Sequence, residues 1–248
     1  MNSTPFYLDW QFWSAVVAAI ALLLSQLSPL HVLLRKARLS CEAFSRMHIT
    51  HRVGNAHAQW HLIIENTGGR SLRVKAISLN FRKVGGVAFE LPAQSYLRTP
   101  DSTDAVMFTP FRLAPGEEWA HIITFFDLFT RDDEKEYRRL ESDIRSDILN
   151  QKEQPENKEK LCEANPTAVQ ELIVFFQRQF KWVPGEYDFE LKVVTDHEKA
   201  NISHHFRFSL FESESKELVE YSEMYRFGAG VYWVSPAQPG LIVPVHEK

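Results

Sequence analysis

The run from Phe12 to Leu34, FWSAVVAAIALLLSQLSPLHVLL, contains no Asp, Glu, Lys or Arg. At about 1.5 Å per residue it makes roughly 34 Å of helix, enough for a hydrocarbon core of about 30 Å. It therefore predicts a single transmembrane helix over 12–34, with Trp10 and Trp13 at the interface. A cleaved leader needs a basic start and a shorter apolar core. Here the only charged side chain before the run is Asp9. Basic residues gather on the other flank, at Arg35, Lys36 and Arg38, then Arg46 and Arg52. Basic flanks stay cytoplasmic. The expectation is a short extracytoplasmic N-terminus over 1–11 and a cytoplasmic domain, with the lipid bilayer as first partner. Ser25, Gln26 and Ser28 add polar groups through which such a helix bridges to another.

Beyond the run the period changes. Leu39, Cys41, Ala43, Ser45, Met47 and Ile49 alternate with Ser40, Glu42, Arg46 and His48, the period of a half-buried strand. Further strands are expected at Ala58–Glu65, Ser71–Arg82, Met107–Leu113, Glu118–Phe126, Gly185–Thr195 and Asn201–Phe211. In Ser71–Arg82 the apolar phase shifts, which predicts a β-bulge near Lys75–Ile77. Val84–Asp104 reads as a loop with a short apolar piece at Val87–Leu91. Seven short strands between turn signals predict a mainly β chain, a β-sandwich over 39–248.

Between the fifth and sixth strands the pattern is helical. Arg131–Asn150 places Tyr137, Leu140, Ile144 and Ile148 on one stripe. Gln151–Lys160 is a polar connector. Asn165-Pro166 reads as an N-cap followed by Pro at the first helical position, opening a helix with Val169, Leu172, Ile173, Phe176 and Phe180. A helical hairpin is thus inserted at about 131–180. A C-terminal helix and tail follow at about 213–248, with the helix over Glu214–Tyr225.

Three phrases, Ile63–Gly68 (IIENTG), Leu113–Glu117 (LAPGE) and Val183–Tyr187 (VPGEY), resemble those of bacterial immunoglobulin-like modules of the cell-adhesion-related kind. The resemblance implies an immunoglobulin-like sandwich that presents a surface or acts as a spacer. Fold alone does not fix function.

The net charge of −4 argues against nucleic acid as a partner, since phosphate contacts need a basic face. Two cysteines, Cys41 and Cys162, do not make a disulfide framework and read as free thiols. No P-loop, dinucleotide fingerprint or nucleophile elbow is present. No catalytic, cofactor-binding or metal residue is assigned. His48 with His61 and a carboxylate is the one metal set considered; His204 and His205 are adjacent and point to opposite faces of a strand. The leading expectation is a membrane-anchored, non-enzymatic interaction or scaffold protein, with a protein partner or a homo-oligomer. The rivals are a membrane-linked metal-dependent hydrolase and an envelope or surface adhesion module with its domain outside.

Overall fold

A computed structural model of the chain describes residues 10–26, 36–99, 102, 104–235 and 238–248. The first helix, α1, covers Trp10–Gln26 and has 17 residues. At about 1.5 Å per residue it reaches roughly 26 Å, short of a hydrocarbon core. Among the described residues no helix is long and apolar enough to cross a membrane. The expected single-pass span over 12–34 is thereby corrected, and residues 27–34 of it lie outside the described residues. The inside–outside orientation and the cytoplasmic placement rested on that span and fall with it. The expected extracytoplasmic stretch lies outside the described residues over 1–9. Along α1 nearly every side chain is exposed, Trp10 at 83%.

The β framework also differs from the expected seven-strand sandwich. Twelve strands form one antiparallel sheet. They are β1 (Leu39–Ala43), β2 (Arg46–Arg52), β3 (Asn55–Asn66), β4 (Leu72–Lys83), β5 (Ala88–Leu97), β6 (Ala105–Met107), β7 (Phe111–Leu113), β8 (Glu118–Phe126), β9 (Gly185–Thr195), β10 (Ile202–Leu210), β11 (Leu241–Pro244) and β12 (His246–Glu247). The main path runs β11-β2-β3-β8-β5-β4-β9-β10-β12. Because β10 also lies against β11, the sheet nearly closes on itself.

Strand β5 joins β8 to β4 in the middle of that path, in the stretch expected to be a loop. Ala88–Pro92 pairs with β4, and Ala93–Leu97 pairs with β8. A register shift between Ala93 and Ser95 marks the bend. The bulge expected in β4 is present, between Val74 and Ala76.

The inner faces build one core. Trp60 sits at its centre, edge-on to Phe189 and Phe206, and donates its indole N–H to the Phe44 carbonyl at 2.6 Å. Full burial of each such apolar side chain contributes about 1.5–3 kcal/mol. A second core lies under the helical insertion, formed by α2 (Arg131–Lys152) and α3 (Pro166–Gln179). The stripe Tyr137, Leu140, Ile144 and Ile148 is buried there, as its spacing predicts. Thr130 caps α2 by accepting from the Asp133 N–H, and Asn165 caps α3 by accepting from Thr167 N–H. Exposed pairs join the helices: Arg178 to Asp133 and Glu136, and Arg139 to Glu171. The tail adds α4 (Glu212–Glu220), then a 3-10 segment at Tyr221–Phe227 that closes the second core. Phe180 packs on both cores and links them.

Candidate functional site

The two outer faces of the framework differ in chemistry. Strand β3 alternates without a break, even positions buried and odd positions half-exposed. Its outward residues meet those of β8 in direct pairs: His57 with Phe126, Gln59 with Thr124, His61 with Ile122 and Ile63 with Ala120. On β2, His48 and Thr50 face outward beside Gln59 and His57. On β5, Ser95 and Leu97 extend the rows of Thr124 and Ile122. The flanks add Ile242 of β11, beside His48, and Met107 of β6, beside Ser95. Every one of these positions lacks Asp, Glu, Lys and Arg.

The outer face of β4, β9 and β10 is the internal contrast. It carries Arg82, Glu186, Asp188, Glu190, Lys192 and Arg207, with Asp188 paired across strands to Arg82 and Arg207. That is the charged exterior that an antiparallel sheet turns to water. The β2–β3–β8–β5 face has the charge-depleted composition of an interface centre. At its β2 edge the 238–240 segment reaches this face, where Thr50 donates its hydroxyl proton to the Pro239 carbonyl at 2.7 Å and the His48 ring lies against Gly240. The helix α2 stands over its Arg52 end. Among the described residues its centre, around Gln59 and Thr124, carries no such contact.

Charges return toward the ends of this face, beginning with the exposed Arg46 two residues from His48 on β2. At one end Glu65 and Glu118 stand directly opposite each other, a like-charge pair that neighbouring strands disfavour. Glu42, beside Ile63, adds a third carboxylate. Among the described residues none of the three has a cation within 4 Å. At the other end Arg52 lies across from Asn55. It contacts the Val231 carbonyl at 3.4 Å and the Tyr137 ring at 5.7 Å, and no described carboxylate.

The Arg52 end opens into a cavity of about 350 Å³ between the sheet rim and α2. Phe126, Phe129 and His57 form its apolar wall, and Tyr137 and Arg138 its helical side. His57 stacks on Phe126 with ring centroids 4.5 Å apart. Burial, then the nearby Arg52 and His51, push its imidazole down to about 4, so it is neutral at pH 7. Tyr137 donates its hydroxyl proton to the Val231 carbonyl at 2.7 Å. Arg138 is engaged by Glu134 at 2.7 Å and Glu141 at 3.0 Å. The Asp127 carboxylate accepts from the N–H of Leu128.

The histidines considered for a metal do not assemble one. His48 and His61 share the outer face as diagonal neighbours across β2 and β3. Burial lowers the His48 pKa. Among the described residues no three His, Cys, Asp or Glu side chains come together in a way that could hold a metal ion. His204 and His205 project from opposite faces of β10, and His204 reaches Glu247 at 3.3 Å. Both cysteines are free and buried. Burial, aided by Glu42, pushes the Cys41 thiol up to about 12, which keeps it protonated and unreactive.

The sequence pattern pairs His48 with His61 only as a metal set and does not show the neutral face they share. The available signal was the absence of charge at alternate positions of 57–63 and 120–126. It becomes a surface only once the two stretches are paired. No family model, no curated protein and no solved structure matches the chain.

Proposed function

We propose that this chain is an interaction protein that holds a protein partner against the outer face of β2, β3, β8 and β5. The observation that carries this reading is the charge contrast between the two outer faces of one sheet. Solvation favours charged side chains on an open strand surface, and the β4–β9–β10 face follows that rule. Removing a charge from water at an interface costs free energy unless it is paired, so docking surfaces lose charges at their centre. The cavity beside Tyr137 supports binding in preference to conversion. Its lining has no serine, threonine or cysteine, its histidine is stacked and neutral, its phenol is committed to Val231, and its carboxylates, Asp127 and Glu134, are engaged by the Leu128 N–H and by Arg138.

A matched pair of full-length variants tests the reading. Gln59→Arg puts a charge at the centre of the neutral face, and Glu190→Lys changes a charge on the opposite face. Affinity capture followed by mass spectrometry is expected to lose specific partners with Gln59→Arg and to retain them with Glu190→Lys. Equal recovery by wild type and both variants, of other proteins and of a differently tagged copy of the chain alike, would sink the proposal.

A further inference from the structure

We infer that the partner on this face is a second copy of the chain, packed face to face about a two-fold axis that runs across the strands. The inference rests on the reading of the face given above and commits it to one occupant. The first argument is size. From Asn55 to Glu65, β3 is about 34 Å long, and the strands from β11 to β6 span about 24 Å at roughly 4.8 Å each. Because β11, β2, β6 and the β8-paired half of β5 are shorter than β3, the strands cover roughly 600 Å² per copy, near the lower end of stable interfaces.

The second argument is charge. An axis across the strands at the level of Trp60 reverses the strand direction of one copy against the other. The Arg52 end of each copy then lies over the Glu65–Glu118 end of its partner. The like-charged pair gains a cation, and Arg52 gains a carboxylate. Both needs are left unmet within one chain among the described residues. A two-fold contact makes each ion pair twice. The third argument is the centre. Gln59 and Thr124 each donate and accept hydrogen bonds, so the same patch is complementary to itself. Aligned packing of two twisted sheets, with strands within about 30° of each other, provides the geometry.

Sedimentation velocity on the full-length chain over a range of concentrations tests this, with circular dichroism confirming that each variant is folded. The wild type is expected to be a dimer. Arg52→Glu alone, and Glu65→Arg with Glu118→Arg, should each raise the dissociation constant at least about fivefold. The three substitutions combined should return it to near the wild-type value. A chain that remains monomeric, or a dimer indifferent to all these reversals, overturns the inference. The second result would assign association to another surface, such as the exposed apolar α1. A monomeric wild type whose captured partner is lost with Gln59→Arg, yet kept with Glu190→Lys, would refute the second copy and leave the interaction face standing.

Discussion

His51 and Leu218 are joined by a hydrogen bond of 2.8 Å between the imidazole Nε2 and the Leu218 carbonyl, across 167 residues of chain. The other ring nitrogen, Nδ1, accepts from the Gly54 N–H at 3.2 Å. The proton therefore sits on Nε2, and the ring is neutral. One buried side chain thus ties β2, the β2–β3 turn and α4 together, with Phe176 and Phe180 packed on its ring.

That arrangement predicts acid sensitivity. Burial pushes His51 from 6.5 down to about 4, against the opposing effect of its bond to Leu218. The unfolded chain takes up a proton near pH 6.5, while the folded chain resists until about pH 4. The stability is therefore complete above pH 6.5 and is lost as pH falls from 6.5 toward 4, by up to roughly 3 kcal/mol. His57 adds a smaller contribution of the same sign, reduced by its partial exposure. Urea midpoints measured from pH 7.5 to 4.5 should fall steadily. His51→Gln should be less stable at pH 7.5 and show a shallower decline.

How much of this was readable beforehand depends on the range of the physics involved. The stripe on α2, the Asn165-Pro166 start of α3 and the β4 bulge are set by neighbours a few residues apart, and each appears where periodicity puts it. Strand β5 is different. It changes partners at Pro92–Ala93, so no single face is buried along its length and no alternation is written into it. Proline is tolerated at such an irregular point, where a ladder N–H can be spared. The apolar run after Phe12 is longer than the helix seen among the described residues, where α1 covers Trp10–Gln26, because hydropathy reports apolarity and not helix length. The neutral face escaped for a further reason. Gln59 and Thr124 are individually ordinary, and only their pairing across 65 positions makes a surface.

Gly54 is predicted to be irreplaceable for local geometric reasons. Val53 and Gly54 both have positive φ, at 45° and 86°, in a two-residue turn between Arg52 and Asn55. Such turns demand positive φ at both positions. A Cβ on Gly54 would also lie 2.5 Å from the Phe176 carbonyl oxygen of α3. Gly54→Ala should therefore cost about 2 kcal/mol or more, from backbone strain and displacement of α3 together. Thermal unfolding measures the loss. Protease cleavage within 153–163 should accelerate if α3 is displaced. A variant as stable as the wild type would refute the close approach.

Two tyrosines in the second core should respond oppositely to loss of their hydroxyls. Tyr137 donates to Val231, so Tyr137→Phe removes a made bond and should cost about 1 kcal/mol. Tyr225 is fully buried, and among the described residues its hydroxyl has no hydrogen-bond partner. Burial, with Tyr221 and Tyr137 nearby, raises its pKa. Tyr225→Phe deletes a desolvated polar atom and should be neutral or stabilising by up to about 1 kcal/mol. Denaturant midpoints of the two variants under identical conditions decide the matter. A large loss with Tyr225→Phe would reveal an internal water bonded to that hydroxyl.

Asn66 offers the sharpest chemical test, because one atom distinguishes it from aspartate. Its side chain is completely buried. The amide nitrogen donates to the Arg70 carbonyl at 2.7 Å and the Leu113 carbonyl at 2.9 Å, while its oxygen accepts from Gly68 N–H at 3.0 Å. These bonds hold the β3–β4 turn against the end of β7. Asn66→Asp keeps the shape but replaces two donors with an anion facing two carbonyl oxygens. The cost at pH 7 should be about 3 kcal/mol or more. Burial and the facing carbonyls favour the protonated acid, so its folded pKa lies above the unfolded value near 3.9. The variant's deficit relative to the wild type is therefore greatest at neutral pH and narrows as pH falls toward 4, where the protonated carboxyl restores one donor. Comparing wild type with variant at each pH cancels the common loss from His51. A deficit that stays constant or widens on acidification would contradict the donor assignment at Asn66.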